Sequence, residues 1–446
     1  MTQNRWSSRF AFILAATGAA IGLGNIWKFP YMAGDYGGSA FVLLYVLCVA
    51  LIGLPAMMAE ILLGKLGRHN PIQTMTLLAK QGKHSPQWAM VGWIGALSLL
   101  MVLSFYSVIS GWSIAYIGYA ALGTFQNTSA EHIYQLWSQL MQNPGLLVAL
   151  HTAFLCLTLG IVVRGVKNGI EKASKIMLPI LFLTVFVLML YGMTQGDAKA
   201  GFHFLFRFDT SRLDGTIFAA ALGHAFFTLA IGAGAMLVYG AYIPNQVRIV
   251  RSIVTIAFLD VCVAFMSGMA IFPLVFHHGL TPEGGPGLMF KVLPIALMGM
   301  PFGRWVGMLF FALLLFAAWA SSLSMAEPLV LTLMEKARLS RGKAACVVGI
   351  SAWSLGLLAV FSFNILEDVR VLGRYSIFQI MTDIPTNLLL PLGGLGFTLF
   401  AGYCIPKAIS VGGLNTSACL GTIWYTLTRY VAPVGILAIL ISLLFF

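Results

Sequence analysis

The chain has 446 residues, 59% of them hydrophobic and 9% charged, with a formal net charge of +12. A soluble domain carries about 25% charged residues, so the composition excludes a soluble protein and points to an all-α polytopic membrane protein. The basic residues recur in short groups between apolar runs, as topology signals do, and form no patch suited to nucleic acid.

A bilayer-spanning helix needs about 20 apolar residues. Eleven runs meet that need, near 10–34, 40–63, 88–121, 146–163, 172–193, 216–243, 252–276, 304–335, 344–363, 375–404 and 424–446. With the N-terminus placed in the cytoplasm, eighteen Lys and Arg, from Arg5 and Arg9 to Lys407 and Arg429, fall in inner segments. Seven, from Lys199 to Arg374, fall in outer ones, and Lys28 lies within the first span. This asymmetry predicts an N-terminus inside and, with eleven spans, a C-terminus outside.

The first span is interrupted. Its stretch TGAAIGLGNIWKFP (17–30) puts three glycines within seven residues, followed by Asn25, Lys28 and Pro30. The sixth span, with Gly232 and Gly234 at its middle, is the other such case. Breaks five spans apart suit an inverted 5+5 repeat: repeat one over 9–193, repeat two over 215–404 and an extra helix over 424–446, in one domain covering 1–446. Paired Gly-interrupted spans place a substrate and ion site near the bilayer midplane. A break survives in lipid only where something replaces the lost hydrogen bonds; freed N–H groups suit an anion and freed carbonyls a cation. Close helix packing through small residues is the plainer reading of the glycines, but it would not require Asn25 or breaks at matching positions. The six cysteines show no CxxC or metal-ligand spacing, and no nucleophile–base pair stands out, so no enzyme is expected.

WSSRFAFILAATGAAIGLGNIWKFPY (6–31) resembles the first-span signature of the neurotransmitter:sodium symporters, within them the bacterial amino-acid transporters. PAMMAEILLGKLGR, FYSVISGW, AFFTLAIGAGA, SGMAIFP, GGPGLMF and NLLLPLGG follow in the order of that family. The resemblance implies a sodium-coupled symporter that imports an L-amino acid by alternating access, in the bacterial inner membrane, with sodium ions, substrate and lipid as its partners.

It also implies site residues. The first sodium site would use the carbonyl of Ala20 and the side chains of Asn25, Thr228 and Asp260. Asp260 stands where many members have Asn, and Ala264 replaces the Ser of chloride-dependent members, so chloride independence is expected. The second would use carbonyls of Gly18, Ile21 and Ala317 and the hydroxyl of Ser321. Ala320 replaces the usual Thr or Asp there, so either this site is weaker, a water or Ser322 compensates, or the second ion is lost. The substrate carboxylate would meet the N–H groups of Leu23 and Gly24 and the Tyr106 hydroxyl, and its ammonium the carbonyls of Ala20, Phe227, Thr228 and Ala230. Val102, Phe227, Ala230, Ala233, Ser321 and Met325 would line the side-chain space, where Ala233 favours a bulky or aromatic hydrophobic substrate. Gly22 leaves room for a substrate that brings its own carboxylate. His224, where the family has Gln, is either a hydrogen-bonded structural residue or a titrating one.

Lys28 and Asp383 resemble the outer gate, above a lid of Tyr106 and Phe227. Trp6, Tyr242 and Glu335 resemble the inner one, with Arg5 beside Trp6 where an Arg is expected two residues earlier on. Glu60 resembles an acid that braces the first break. Gly169 and Pro179 resemble a hinge whose unwinding admits water to the second sodium site, and an ordinary helix start carries the same spacing. A non-transporting amino-acid sensor or an amino-acid-gated channel is the alternative; a channel would show polar stripes along several spans.

Overall fold

A computed structural model describes residues 5–126, 128–207, 213–282, 288–371 and 373–445, with side chains to residue 441. Arg212, counted among the outer charges, and the glycines of GGPGLMF at 284, 285 and 287 lie outside them. In chain order the helices begin with α1 (Arg9–Ala20), α2 (Gly24–Asp35), α3 (Ser39–Gly67), α4 (Pro71–Gln81) and α5 (Pro86–Ala121). Then follow α6 (Ala130–Met141), α7 (Pro144–Val162), α8 (Val166–Gln195), α9 (Ala198–Phe206), α10 (Gly215–Thr228) and α11 (Ala235–Ala241). The rest are α12 (Ile249–His277), α13 (Leu288–Leu297), α14 (Gly303–Lys336), α15 (Arg341–Phe361), α16 (Ile377–Cys404), α17 (Lys407–Gly413) and α18 (Ala418–Ile441). A two-stranded hairpin, β1 (Arg370–Val371) and β2 (Tyr375–Ser376), joins α15 to α16 with Arg370 opposite Ser376.

Apolar runs become helices because a chain in lipid must satisfy its own backbone polar groups. Their starts are set by side chains that accept free N–H groups: Ser8 from Ala11, Asn70 from Gln73, Asp214 from Ile217 and Ser376 from Gln379. Among the described residues nine helices are long and apolar enough to cross a membrane, ten if α1 and α2 form one crossing bent by 45°. The span expected at 216–243 is divided into α10 and α11, 14 and 7 residues long, neither of which meets that measure alone. The final helix starts at Ala418, ahead of the expected 424.

Both expected interruptions are present. α1 ends where Ile21 turns extended, at φ −74° and ψ 102°. α10 ends at Thr228, and the chain then passes through left-handed Ala230, Gly232 and Gly234 before α11. Gly232 is required twice over. Its φ of +89° is left-handed, and a Cβ there would overlap the Leu390 carbonyl of α16. The longer helices pack around these two broken elements, α5 along α14, α12 on α8 and α3 on α10 and α11.

Candidate binding site between the helix breaks

The two breaks touch each other. A Cβ on Gly24 would lie 3.3 Å from the Thr228 Cα, so glycine sets how closely α2 approaches α10. The chain replaces its lost helical hydrogen bonds with side chains. The Gly22 N–H donates to Asn25 Oδ1 (3.3 Å), and the Leu23 N–H to the Tyr106 hydroxyl (2.8 Å). At the second break the Gly232 N–H donates to Glu60 Oε1. Glu60 therefore braces the second break, where the resemblance implied the first.

Beside the breaks lies a polar cluster in an apolar interior. Asn25 Nδ2 donates to Asp260 Oδ1 at 2.8 Å and to the Asp260 carbonyl at 3.0 Å. The Thr228 hydroxyl lies 3.0 Å from both Asn25 Oδ1 and Asp260 Oδ1, and its single hydrogen can serve only one of them. Tyr45 donates to Asp260 Oδ2 at 3.0 Å. Asn25, Tyr45 and Asp260 are fully buried, and among the described residues no basic group pairs with Asp260. His224 packs its buried ring against Tyr45, Phe29 and Phe41, with centroids 5.0, 5.9 and 5.8 Å away. Neither of its ring nitrogens has a hydrogen-bond partner among the described residues.

A second oxygen cluster forms where α1 ends. The Ser321 hydroxyl of α14 lies 3.2 Å from the Gly18 carbonyl and 3.3 Å from those of Ala19 and Ile21. One O–H can donate to only one of these three carbonyls, and their convergence is an arrangement suited to a hard cation. Ala317 is fully buried on the same helix, and Ala320 sits against Gly18, its Cβ 3.4 Å from where a Gly18 Cβ would be. Gly22 lies between the two clusters, where a side chain would overlap both Ser321 Oγ and the Tyr106 hydroxyl. Val102 on α5 and Met325 on α14 are buried on helices that pack together, Ala233 is buried in the second break, and Ala20 ends α1. Phe227 and Ala230 are half-buried.

Phe227 faces a cavity of about 410 Å³ on the side away from the N-terminus, lined also by Lys28, Phe105, Thr382 and Asp383. The Lys28 ammonium lies 4.4 Å over the Phe227 ring. Among the described residues it makes no ion pair with Asp383, although both line the cavity. The expected outer pair is therefore apart in this structure.

The N-terminal face is closed by Trp6, which is buried against Tyr239 and Tyr242, with ring centroids 5.1 and 6.2 Å away. Its indole N–H donates to the Tyr239 carbonyl (3.0 Å) and its backbone N–H to the Tyr242 carbonyl (3.1 Å). Among the described residues Arg5 and Glu335, also expected at this gate, form no ion pair with each other. Arg5 is exposed, and Glu335 instead accepts from the Asn70 N–H (2.9 Å) and Asn70 Nδ2 (2.7 Å). Sequence reading passed over the closing ion pair, buried Glu327 with Arg341, to which Tyr242 adds a hydrogen bond of 2.9 Å. The available signal was an acid inside an apolar span, which is functional by default. Glu171 was missed too, and it holds Ser7 and Lys175. Gly169 and Pro179 both lie in helical α8, Gly169 in a π-type turn over Val166–Glu171 against the Ile161 carbonyl, so the segment expected to act as a hinge is wound here.

Removing one partner of a buried ion pair costs about 3–5 kcal/mol because the other charge is left behind. Glu327→Gln is therefore expected to loosen the closure. In a background without native cysteines, alkylation of a Ser174→Cys reporter, at a buried position of α8, should rise severalfold; unchanged labelling would count against the pair as a lock.

The sequence pattern described as the sodium:neurotransmitter symporter family matches residues 3–135 and 120–380. An uncharacterized sodium-dependent transporter of Bacillus subtilis is 36% identical over 99% of this chain and 97% of its own length. Another, of Haemophilus influenzae, is 30% identical over 99% and 98%. The crystal structure of MhsT in complex with L-phenylalanine superposes with a TM-score of 0.92 at 37% identity, covering 99% of both chains. With broken helices meeting at a buried polar cluster and relatives aligned over nearly its whole length, the chain belongs to the sodium:neurotransmitter symporter family, as a multi-pass, sodium-dependent transporter rather than an enzyme.

Proposed function

We propose that the protein is a chloride-independent symporter that imports a bulky hydrophobic or aromatic L-amino acid together with Na⁺ by alternating access. It does so in the bacterial inner membrane, with its N-terminus in the cytoplasm and its C-terminus outside. What carries the reading is the cluster of Asn25, Thr228 and Asp260, sealed between two helix breaks in an otherwise apolar interior. A buried, ionised carboxylate without a basic partner is costly unless a cation accompanies it. The first Na⁺ would take the Ala20 carbonyl, Asn25, Thr228 and Asp260; the second would take the carbonyls of Gly18, Ile21 and Ala317 with the Ser321 hydroxyl. The convergence of three carbonyls on Ser321 supports this second site despite Ala320.

The substrate carboxylate would accept from the Leu23 and Gly24 N–H groups and from the Tyr106 hydroxyl, which holds the Leu23 N–H here. Its ammonium would meet the carbonyls of Ala20, Phe227, Thr228 and Ala230, and Val102, Ala233 and Met325 would receive its side chain. The substrate class rests on the likeness to MhsT, whose structure holds L-phenylalanine. Lys28, Asp383 and Phe227 would close the outer cavity over the bound amino acid. Release of Trp6, Tyr242 and Glu335, with unwinding of α8 at Gly169 and Pro179, would open the other side, and Arg5 would follow Trp6.

Accumulation tests the reading and the ion count together. One Na⁺ entering down 100 mV contributes about 2.3 kcal/mol, and a tenfold gradient about 1.4 more. One ion then supports roughly 500-fold accumulation and two roughly 10⁵-fold. Proteoliposomes given labelled L-phenylalanine should concentrate it only with an inward Na⁺ gradient, and equally well with chloride or gluconate. A channel would merely equilibrate the label and a sensor would bind without uptake; either result overturns the proposal.

A further inference from the structure

One groove on the N-terminal face lies away from the helix breaks. It is a cavity of about 750 Å³ between the start of α12 and the segment that leads into α18. It is lined by polar Arg248, Arg251, Thr416 and Ser417 and by apolar Val254 and Leu420. We infer that this groove binds the headgroup of an anionic phospholipid, with a phosphate at the two arginines and acyl chain along the apolar wall.

Three observations support the assignment. First, the charges lack partners: among the described residues neither arginine makes an ion pair. The acids on this face are engaged elsewhere, Glu171 by Lys175, Glu327 by Arg341 and Glu335 by Asn70. Two guanidinium groups in one groove without a carboxylate call for an anion, and their planar donor geometry matches phosphate.

Second, the spacing sorts polar from apolar along one helix face. Arg248, the extended residue that caps the start of α12, is followed on one face of that helix by positions 251, 254 and 258, at three- and four-residue intervals. They read Arg, Arg, Val, Phe. Val254, Leu420 and Phe258 are 46%, 50% and 65% exposed. A free anion would satisfy the arginines but would leave this apolar continuation unused. A lipid uses both, and basic pockets between membrane helices are suited to anionic headgroups.

Third, the groove is built. Its two walls are tied by a hydrogen bond from the Ile249 N–H to the Leu414 carbonyl (3.2 Å) and by Asn415 Nδ2 donating to the Asn245 carbonyl (2.8 Å). Arg9 Nε donates to Ser252 Oγ (3.1 Å), which donates to the Arg248 carbonyl (3.0 Å), so a bound headgroup would lie one short step from α1. Placing the lipid in the cytoplasmic leaflet rests on the orientation proposed above; the chemistry of the groove does not.

Native mass spectrometry of the full-length, detergent-purified protein tests the site without reference to orientation. Titration with phosphatidylglycerol should give a retained adduct. With each basic residue worth about fivefold at a membrane surface, Arg251→Gln should weaken that adduct roughly fivefold and R248Q/R251Q roughly thirtyfold. Lys80→Gln with Lys83→Gln should leave it unchanged, and phosphatidylcholine binding should be the same in all variants. Melting curves establish folding, and R251Q alone carries the test if the double variant is unstable. Equal phosphatidylglycerol binding by wild type and R251Q would overturn the inference. So would full displacement of the lipid by millimolar inorganic phosphate, which would make the groove a site for a free anion.

Discussion

Asp260→Asn is expected to weaken sodium-driven uptake at least tenfold when chloride is replaced by gluconate. Asp260 accepts hydrogen bonds from Asn25, Thr228 and Tyr45 and has no basic partner among the described residues. The substitution preserves shape and removes the charge that would balance a bound cation. An interaction of a charged group with its partner is worth about 1.5–3 kcal/mol, and each 1.4 kcal/mol is about tenfold in affinity. The apparent sodium affinity should therefore fall about ten- to a hundredfold, whereas the wild type should respond to Na⁺ equally in chloride and gluconate. Adding Ala264→Ser to the Asn variant should make part of the lost uptake return with chloride. If Asp260→Asn keeps the wild-type sodium titration in gluconate, the charge has no part in ion binding and chloride independence needs another cause.

The breaks were legible because their cause is local. Glycines clustered within an apolar run announce backbone that need not stay helical, and Ile21 and Gly232 mark the turns where that sequence pattern stands. Asn25, Thr228 and Asp260 were legible as a set through the family signature, and the three side chains do converge. The gates were less legible because a gate belongs to a conformation. Lys28 over Phe227 and apart from Asp383 is an arrangement a linear pattern cannot select. The Glu327–Arg341 pair was missed for a different reason. The two residues lie on successive helices, α14 and α15, and only their antiparallel return brings the guanidinium to a carboxylate that reads in sequence as one acid among apolar neighbours. The Glu335 contact with Asn70 joins elements 265 residues apart, beyond the reach of any local signal.

Gly22→Ala should weaken amino-acid binding by up to about a hundred-and-fiftyfold, although it adds a single methyl group. That methyl would overlap the Tyr106 hydroxyl and Ser321 Oγ and lie 3.1 Å from Ser321 Cβ. Tyr106 holds the Leu23 N–H, and Ser321 sits among the carbonyls that end α1. One substitution therefore displaces both the proposed carboxylate anchor and the proposed second cation site. Overpacking a filled interior costs about 1–3 kcal/mol. Relief by moving either side chain would come out of binding, a loss of roughly five- to a hundred-and-fiftyfold. Gly412→Ala is the matched control, since nothing lies within 4 Å of a Cβ at that position. Equilibrium binding of labelled L-phenylalanine to purified protein, titrated with Na⁺, reads both effects: Gly22→Ala should lower the affinity for substrate and for sodium together. A loss confined to substrate would separate Ser321 from ion binding. Wild-type values for both would mean that the amino acid does not rest on the first helix break.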